Sequence, residues 1–291
     1  MAKIKNILLK RPLNSNKSDY GHIFVIAGSL GMSGAAYLTA QSALLSGSGL
    51  VTLGTPRSLN TILSRKFIEV MTRPLPETKN GSLSIKAFSE VEKFIKTKKV
   101  NVLAVGPGLS QNKQTCALAR KIISKIDLPM VIDADGLNAL VGHLNLLQDR
   151  RSKLRNIVIT PHPGEMARLL GETVSEIQKN RKNIAKRIAS KYNITVVLKG
   201  HGTVVADSSG HCYINETGNP GMATAGCGDV LTGIIASFMG QGMDVFRSAK
   251  AGAYVHGLAG DMAEKEVGQV SLTATALLNK IPGAIRSLAT K

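Results

Sequence analysis

HIFVIAG, His22 to Gly28, is apolar through its middle and ends on a glycine. GAAYLTAQSALLSGSG, Gly34 to Gly49, follows it with the length and small residues of a packed helix, and LVTLGT, Leu50 to Thr55, is β-rich again. A half-exposed strand alternates apolar and polar residues, whereas a strand covered on both faces reads as one apolar run. The stretch therefore predicts strand, helix, strand: one unit of a parallel sheet with helices packed against it.

The same grammar recurs along the chain. VNVLAVGPG (Val100–Gly108), LPMVIDADG (Leu128–Gly136) and RNIVITPHPGE (Arg155–Glu165) read as strands followed by helical sequence. IKAFSEVEKFIK (Ile85–Lys96) reads as a helix. ITVVLKG, GTVVAD and HCYIN, between Ile194 and Asn215, are three strands with no helices between them, so they predict an antiparallel edge with DSSGH as a turn. From about Ala223 the chain reads as alanine-rich helices, whose exposed faces would permit assembly. No long linker, low-complexity block or internal repeat interrupts the pattern. The expected fold is α/β, a mostly parallel central sheet with helices on both faces, in a single domain over residues 1–291 with a basic arm at 1–20.

Composition agrees. The chain has 291 residues, 43% of them hydrophobic, with few aromatics and no tryptophan. No apolar run approaches the roughly 18 residues of a membrane helix. The start is basic, but its apolar run, ILL, is shorter than the roughly 7–15 residues of a secretory signal. Three cysteines without metal spacing fit a reducing cytoplasm better than a disulfide framework.

The formal net charge is +18. A basic nucleic-acid-binding protein is one reading, but the charges are dispersed and no aromatics interleave with them to stack bases. In QKNRKNIAKRIASKY (Gln178–Tyr192) and its lead-in, Ile177, Ile184 and Ile188 share one face. The lysines and arginines then read as a solvated outer face. Attraction of a small anion is the milder reading of the charge.

In an open parallel sheet, ligands bind beyond the carboxyl ends of the strands. AGSLGMSGA, GPGLS, DADGLNAL, TPHPGE, LKGHGT and GCGD all fall there, so they can converge on one cleft. TAGCGDVLTG, Thr224 to Gly233, places a lone carboxylate, Asp229, among glycines. Such a turn aims backbone N–H groups at an anion, and a carboxylate inside it can take a proton from a hydroxyl. Equally, it is a glycine turn with Asp229 as a helix cap. Alone, the motif divides evenly.

Lys199 in LKGHGTVV can neutralise phosphate, or the segment is a hairpin turn with His201 at its surface. His162 is held between Pro161 and Pro163, and Glu165 either caps the next helix or helps hold a hydrated metal. Asp133 and Asp135 can bind water around Mg²⁺, or Asp135 caps a helix. Neither GPG nor GSLGMSG is a dinucleotide or P-loop fingerprint. His22, His143, His211 and His256 lack metal spacing and read as structural, and no metal ligand set is assigned.

Taken in order, AGS…SGAA, GPGL, DADGLNAL, TPHPGE, KGHGT and GNPGMATAGCGDVLTG resemble the ADP/ATP-dependent NAD(P)H-hydrate dehydratases, from about Gly21 to near Lys280. The resemblance implies a ribokinase-like fold and repair of NADH and NADPH hydrated at C6. ADP or ATP would phosphorylate the hydroxyl and phosphate would then leave. Position by position, it implies Asp229 as base. Ala35, Gly108 and His162 would contact the hydrate. Lys199, Gly200, His201, Gly202, Thr203 and Gly228 would contact the nucleotide, and Asn138 matches a position in the DADGLNAL block. It further implies Mg²⁺, a homotetramer, and a separate epimerase chain, since only about twenty residues precede the first strand. That stand-alone arrangement points to ADP rather than ATP. Two departures stand out: Cys227 where the family most often has Thr or Ser, and Ala225 where glycine is common. The nearest rival is a ribokinase-like kinase of a vitamin precursor or sugar.

Overall fold

Consecutive residues of β1 (His22–Ile26) point to opposite sides: Ile23 and Val25 into one apolar cluster, Phe24 and Ile26 into another. Every one of these side chains is fully buried, which is why the sequence shows no polar alternation. The structure, a computed structural model, describes residues 11–148 and 156–288. The first ten residues of the expected basic arm lie outside the described residues.

After β1 the chain runs through α1 (Ser33–Leu45), β2 (Leu50–Pro56), α2 (Arg57–Lys66), β3 (Met71–Leu75), α3 (Ala87–Lys98), β4 (Val102–Val105), α4 (Lys113–Lys125) and β5 (Met130–Ile132). It continues with the single turn α5 (Asp135–Asn138), β6 (Ile157–Ile159), α6 (Pro163–Leu170), α7 (Val174–Lys179) and α8 (Arg181–Tyr192). Then come β7 (Thr195–Leu198), β8 (Val204–Ala206), β9 (Cys212–Ile214), α9 (Cys227–Gly240), α10 (Val245–Val267) and α11 (Ala274–Ser287).

The nine strands form one sheet in the order β3-β2-β1-β4-β5-β6-β7-β8-β9. Pairs from β3 to β7 are parallel, and β7–β8 and β8–β9 are antiparallel, as the absence of intervening helices predicted. The sequence pattern missed β3 and α2. MTRPL lacks an apolar run because β3 is an exposed edge, the one place in a sheet where Pro74 is tolerated. The basic stretch expected as one helix is two, broken at Asn180, though Ile177, Ile184 and Ile188 are buried as read.

One face of the sheet is covered by α3, α4, α6 and α8, the other by α1, α2, α9 and α10. A third cluster joins the far side of α9 to α10 and α11. Helix α9 thus lies between the sheet and an outer layer, and Val230 to Met239 are all buried. The alanines expected to offer an exposed assembly face are largely internal: Ala249, Ala253, Ala259, Ala263 and Ala284 are buried, because small side chains let these helices approach closely.

Gly233 shows how close. A β-carbon there would lie 2.1 Å from Ser42 Oγ and 2.2 Å from Thr39 O on α1. Gly233→Ala is therefore expected to push α1 from α9 and cost about 1–3 kcal/mol, read as a lower denaturant midpoint at unchanged slope.

Candidate active site

The ends of β1, β4, β5, β6 and β7 lie side by side in the sheet, and backbone bonds stitch their loops together. Gly28 N–H donates to Pro107 O (2.9 Å), and Lys199 N–H to Pro161 O (2.8 Å). Gly106 runs so close beneath Asp133 that a β-carbon would meet its carbonyl oxygen at 1.8 Å. Ala134 has φ 49° and ψ −119°. That left-handed geometry strains an alanine by roughly 1–3 kcal/mol, and it places Asp133 and Asp135 on either side of a sharp turn at the strand end.

At the centre lies Asp133, 1% exposed. Its Oδ1 accepts from Lys199 Nζ at 2.7 Å and its Oδ2 from Thr232 Oγ1 of α9 at 2.8 Å. Glu165 Oε2 is 3.8 Å from the same ammonium. Burial alone would depress the Lys199 pKa, but Asp133 and Glu165 overcome it and raise the value. Lys199 is therefore a fixed cation, and Gly228 sits directly against it: a β-carbon on Gly228 would lie 3.0 Å from Nζ.

Asp229 is the third residue of α9, behind Gly226 at φ 91°. No side chain caps this helix, and Asp229 accepts no hydrogen bond from the described residues, so the capping reading is set aside. The N–H groups of Gly228 and Asp229 likewise find no acceptor among the described residues, leaving two donors at a helix N-terminus open to an anion. Burial, then repulsion from Asp133, lifts the Asp229 carboxyl to about 7, against the partial relief that Lys199 gives.

His162 both caps and faces the site. Its Nδ1 accepts from Gly164 N–H (3.0 Å) and Glu165 N–H (3.3 Å), and Glu165 Oε2 accepts from His162 N–H (2.8 Å). With Nδ1 accepting, the neutral ring carries its proton on Nε2, the edge 3.6 Å from Glu165 Oε1. Burial lowers its pKa, though Glu165 opposes this. The side chain is half exposed, so Nε2–H remains available to a ligand.

Ala35 and Gly108 meet at the neighbouring strand ends. A β-carbon on Gly108 would touch Ala35 Cβ at 3.0 Å, and at φ 61° glycine is also favoured by the backbone. Asp135 is taken up structurally: Oδ2 accepts from Ser110 N–H (2.8 Å) and Oδ1 from Asn138 Nδ2 (3.0 Å). Asn138 Oδ1 in turn accepts from Arg168 Nε, tying α5 to α6. Gly200 to Thr203 form a surface loop continuous with Lys199, with His201 exposed as expected and Thr203 Oγ1 donating to Gly200 O. No three potential metal ligands converge among the described residues. A surface hollow of about 380 Å³ beside Glu172, Asn180 and Arg187 contains none of these groups.

A family model described as NAD(P)H-hydrate dehydratase matches residues 23–283. The chain belongs to that family. It is 45% identical over 287 residues to a bifunctional NAD(P)H-hydrate repair enzyme of Moorella thermoacetica, covering 99% of this chain and 53% of that protein. It thus spans about half the length of the bifunctional relatives it matches. An ADP-dependent (S)-NAD(P)H-hydrate dehydratase of Neisseria meningitidis is 36% identical, over 98% of this chain and 90% of that one. The ADP/ATP-dependent dehydratase of Bacillus subtilis, crystallised with ATP and Mg²⁺, superposes with a TM-score of 0.82 at 28% identity, covering 98% and 96% of the two chains.

Sequence reasoning missed how α10 supports the family's GNPGMAT and GCGD segments. His256 Nε2 hydrogen-bonds Cys227 O at 2.8 Å, and burial pushes its pKa down to about 4, so it donates as a neutral ring. Asp261 accepts from Gly218 N–H (3.0 Å) and Asn219 Nδ2 (3.1 Å). His256 and Asp261, in HG and GD five residues apart on α10, were the available signal. Cys227 is buried in the outer helical cluster and its thiol is pushed up to about 11 by burial, so it serves as packing and not as a thiolate.

Lys199→Met should cost about 3–5 kcal/mol in denaturant unfolding, because it strands the Asp133 carboxylate; Lys199→Met/Asp133→Asn should recover much of that. Asp229→Asn should behave oppositely. The folded carboxyl titrates near 7 against 3.8 for an ordinary aspartate, so wild-type stability falls as pH rises through that window. The asparagine variant should melt higher than wild type at pH 8, with the gain fading toward pH 4.

Proposed function

We propose that this chain dehydrates the S form of hydrated NADH or NADPH at the expense of ADP or ATP. The carrying observation is Asp229: a half-buried, unpartnered carboxyl lifted to about 7, at a helix N-terminus with open N–H donors. A structural cap would be hydrogen-bonded and ionised. A general base for a hydroxyl needs a free oxygen and a pKa near the working pH.

In this reading the C6 hydroxyl sits against Asp229, with Ala35, Gly108 and His162 around the hydrate. Asp229 takes the hydroxyl proton as the C6 oxygen bonds to the terminal phosphorus. The bond from that phosphorus to the bridging oxygen breaks, leaving AMP from ADP or ADP from ATP. The N–H groups at Gly228 and Asp229, with Lys199 behind them, stabilise the charge on the transferred group. The C6–O bond then breaks as phosphate leaves, and loss of the C5 proton restores the double bond. Hydroxide could not leave this way; phosphate can. The loop Gly200–Thr203 holds the nucleotide.

Mg²⁺ fits as an ion carried by the phosphates. Asp133 is already committed to Lys199 and Thr232, and no protein cage is present among the described residues, whereas Mg²⁺ commonly keeps its waters and binds mainly phosphate oxygens. When bound it would neutralise phosphate charge. All three cysteines are free, in keeping with a cytoplasmic enzyme, and no described helix is long and apolar enough to cross a membrane. A homotetramer and a partner epimerase, supplied by another chain or segment, complete the proposal by family likeness.

Supplying hydrated NADH with ADP or ATP should restore the reduced-nicotinamide absorbance and release phosphate. A kinase that stops after transfer would consume nucleotide without restoring it. kcat/KM should rise with pH up to about 7 and then level, and Asp229→Asn should lose about 10²–10⁴-fold and the acid limb with it. Near-normal turnover by Asp229→Asn would overturn the assignment.

A further inference from the structure

Arg181, the first residue of α8, was read from sequence as part of a solvated basic face. It is not solvated in that way. Its guanidinium turns back onto the loop after β7, where Nη2 donates to Leu198 O at 2.9 Å and Nη1 donates to His201 O. Gly200, at φ 135°, allows this approach: a β-carbon there would lie 3.2 Å from Nη2. Arg181 Nε is buried without a partner. No carboxylate pairs with this guanidinium among the described residues, and burial lowers its pKa.

The arrangement has a directional consequence. In a trans peptide the C=O and the following N–H point opposite ways. Drawing the Leu198 carbonyl toward Arg181 sends Lys199 N–H the other way, to Pro161 O. Drawing the His201 carbonyl the same way sends Gly202 N–H away from the guanidinium. The N–H groups of Gly200, His201 and Gly202 donate to no acceptor among the described residues. One side of the loop is thus neutralised by a forked cation, and the other is left with unused donors, an arrangement suited to an anion.

We propose that Arg181 is the positioning residue of the nucleotide subsite. It holds the Gly200–Thr203 loop with its N–H groups presented to the nucleotide phosphates, and adds an unpaired positive charge behind them. This rests on the reading of that loop as the nucleotide contact. The fork matters as much as the charge: a lysine ammonium is a point donor and does not hold two carbonyls in fixed directions.

The test measures KM for ADP and for hydrated NADH, together with calorimetric ADP affinity, in wild type, Arg181→Ala, Arg181→Lys and Arg181→Gln. Loss of charged hydrogen bonds should raise the ADP KM and Kd about ten- to a hundredfold in Arg181→Ala, with the hydrate KM within about twofold. Arg181→Lys and Arg181→Gln should fall between, and they carry the test should Arg181→Ala not fold. A purely structural role would move both KM values and the melting temperature together, and would overturn the proposal. So would an unchanged ADP KM in all folded variants of an enzyme whose wild type turns over. A wild type that binds neither ADP nor ATP would overturn the nucleotide reading of the loop and this inference with it.

Discussion

The buried pair of Asp133 and Lys199 is the interaction on which the site depends. A carboxylate 1% exposed at a strand end is tolerable only because an ammonium lies 2.7 Å away and a threonine hydroxyl 2.8 Å away. Those partners come from the residue after β7 and from α9, so Asp133 ties the helix that carries Asp229 to the strand ends of the sheet. Burial and then the negative charge at Asp133 raise the Asp229 pKa, while Lys199 keeps it from rising further. Removing either member would disturb position and protonation together.

The same pair divides labour between carboxylates. Asp133 is bonded through both of its carboxyl oxygens; Asp229, close by and without a hydrogen-bond donor, has its pKa lifted by burial and by Asp133 to about 7. Unlike surroundings are a recurrent way to give neighbouring acids different tasks. Glu165 is a third case. It is spent on the capping box with His162, and by drawing Nδ1 of that ring into the cap it leaves Nε2 as the edge available to a ligand.

The fold was readable because most strands are covered on both faces, and complete burial writes itself as apolar runs. β3 escaped because an edge strand needs no such run, and Arg73 and Pro74 fit its exposed position. The site was readable as a set of strand-end motifs, but not in its roles. Whether Asp229 caps a helix or waits for a proton depends on burial and on donors far away in sequence. Lys199 was expected to neutralise phosphate; sequence did not show that its ammonium is also engaged by Asp133 and Glu165 and lies directly against Gly228.

Arg181 marks the limit most clearly. It was grouped with the other basic residues of α8 as a solvated face, yet it stands three and seven residues before Ile184 and Ile188, on their side of the helix. The helix begins there beside the β7 loop, and a long side chain at that position reaches carbonyls instead of water. Periodicity sees only one element at a time. A basic residue at a helix end adjoining a glycine-rich strand-end loop therefore has two readings that composition does not separate. The physical distinction is whether its charge has an anionic partner. For Arg181 no such partner is present among the described residues, and the loop it grips offers its donors on the opposite side.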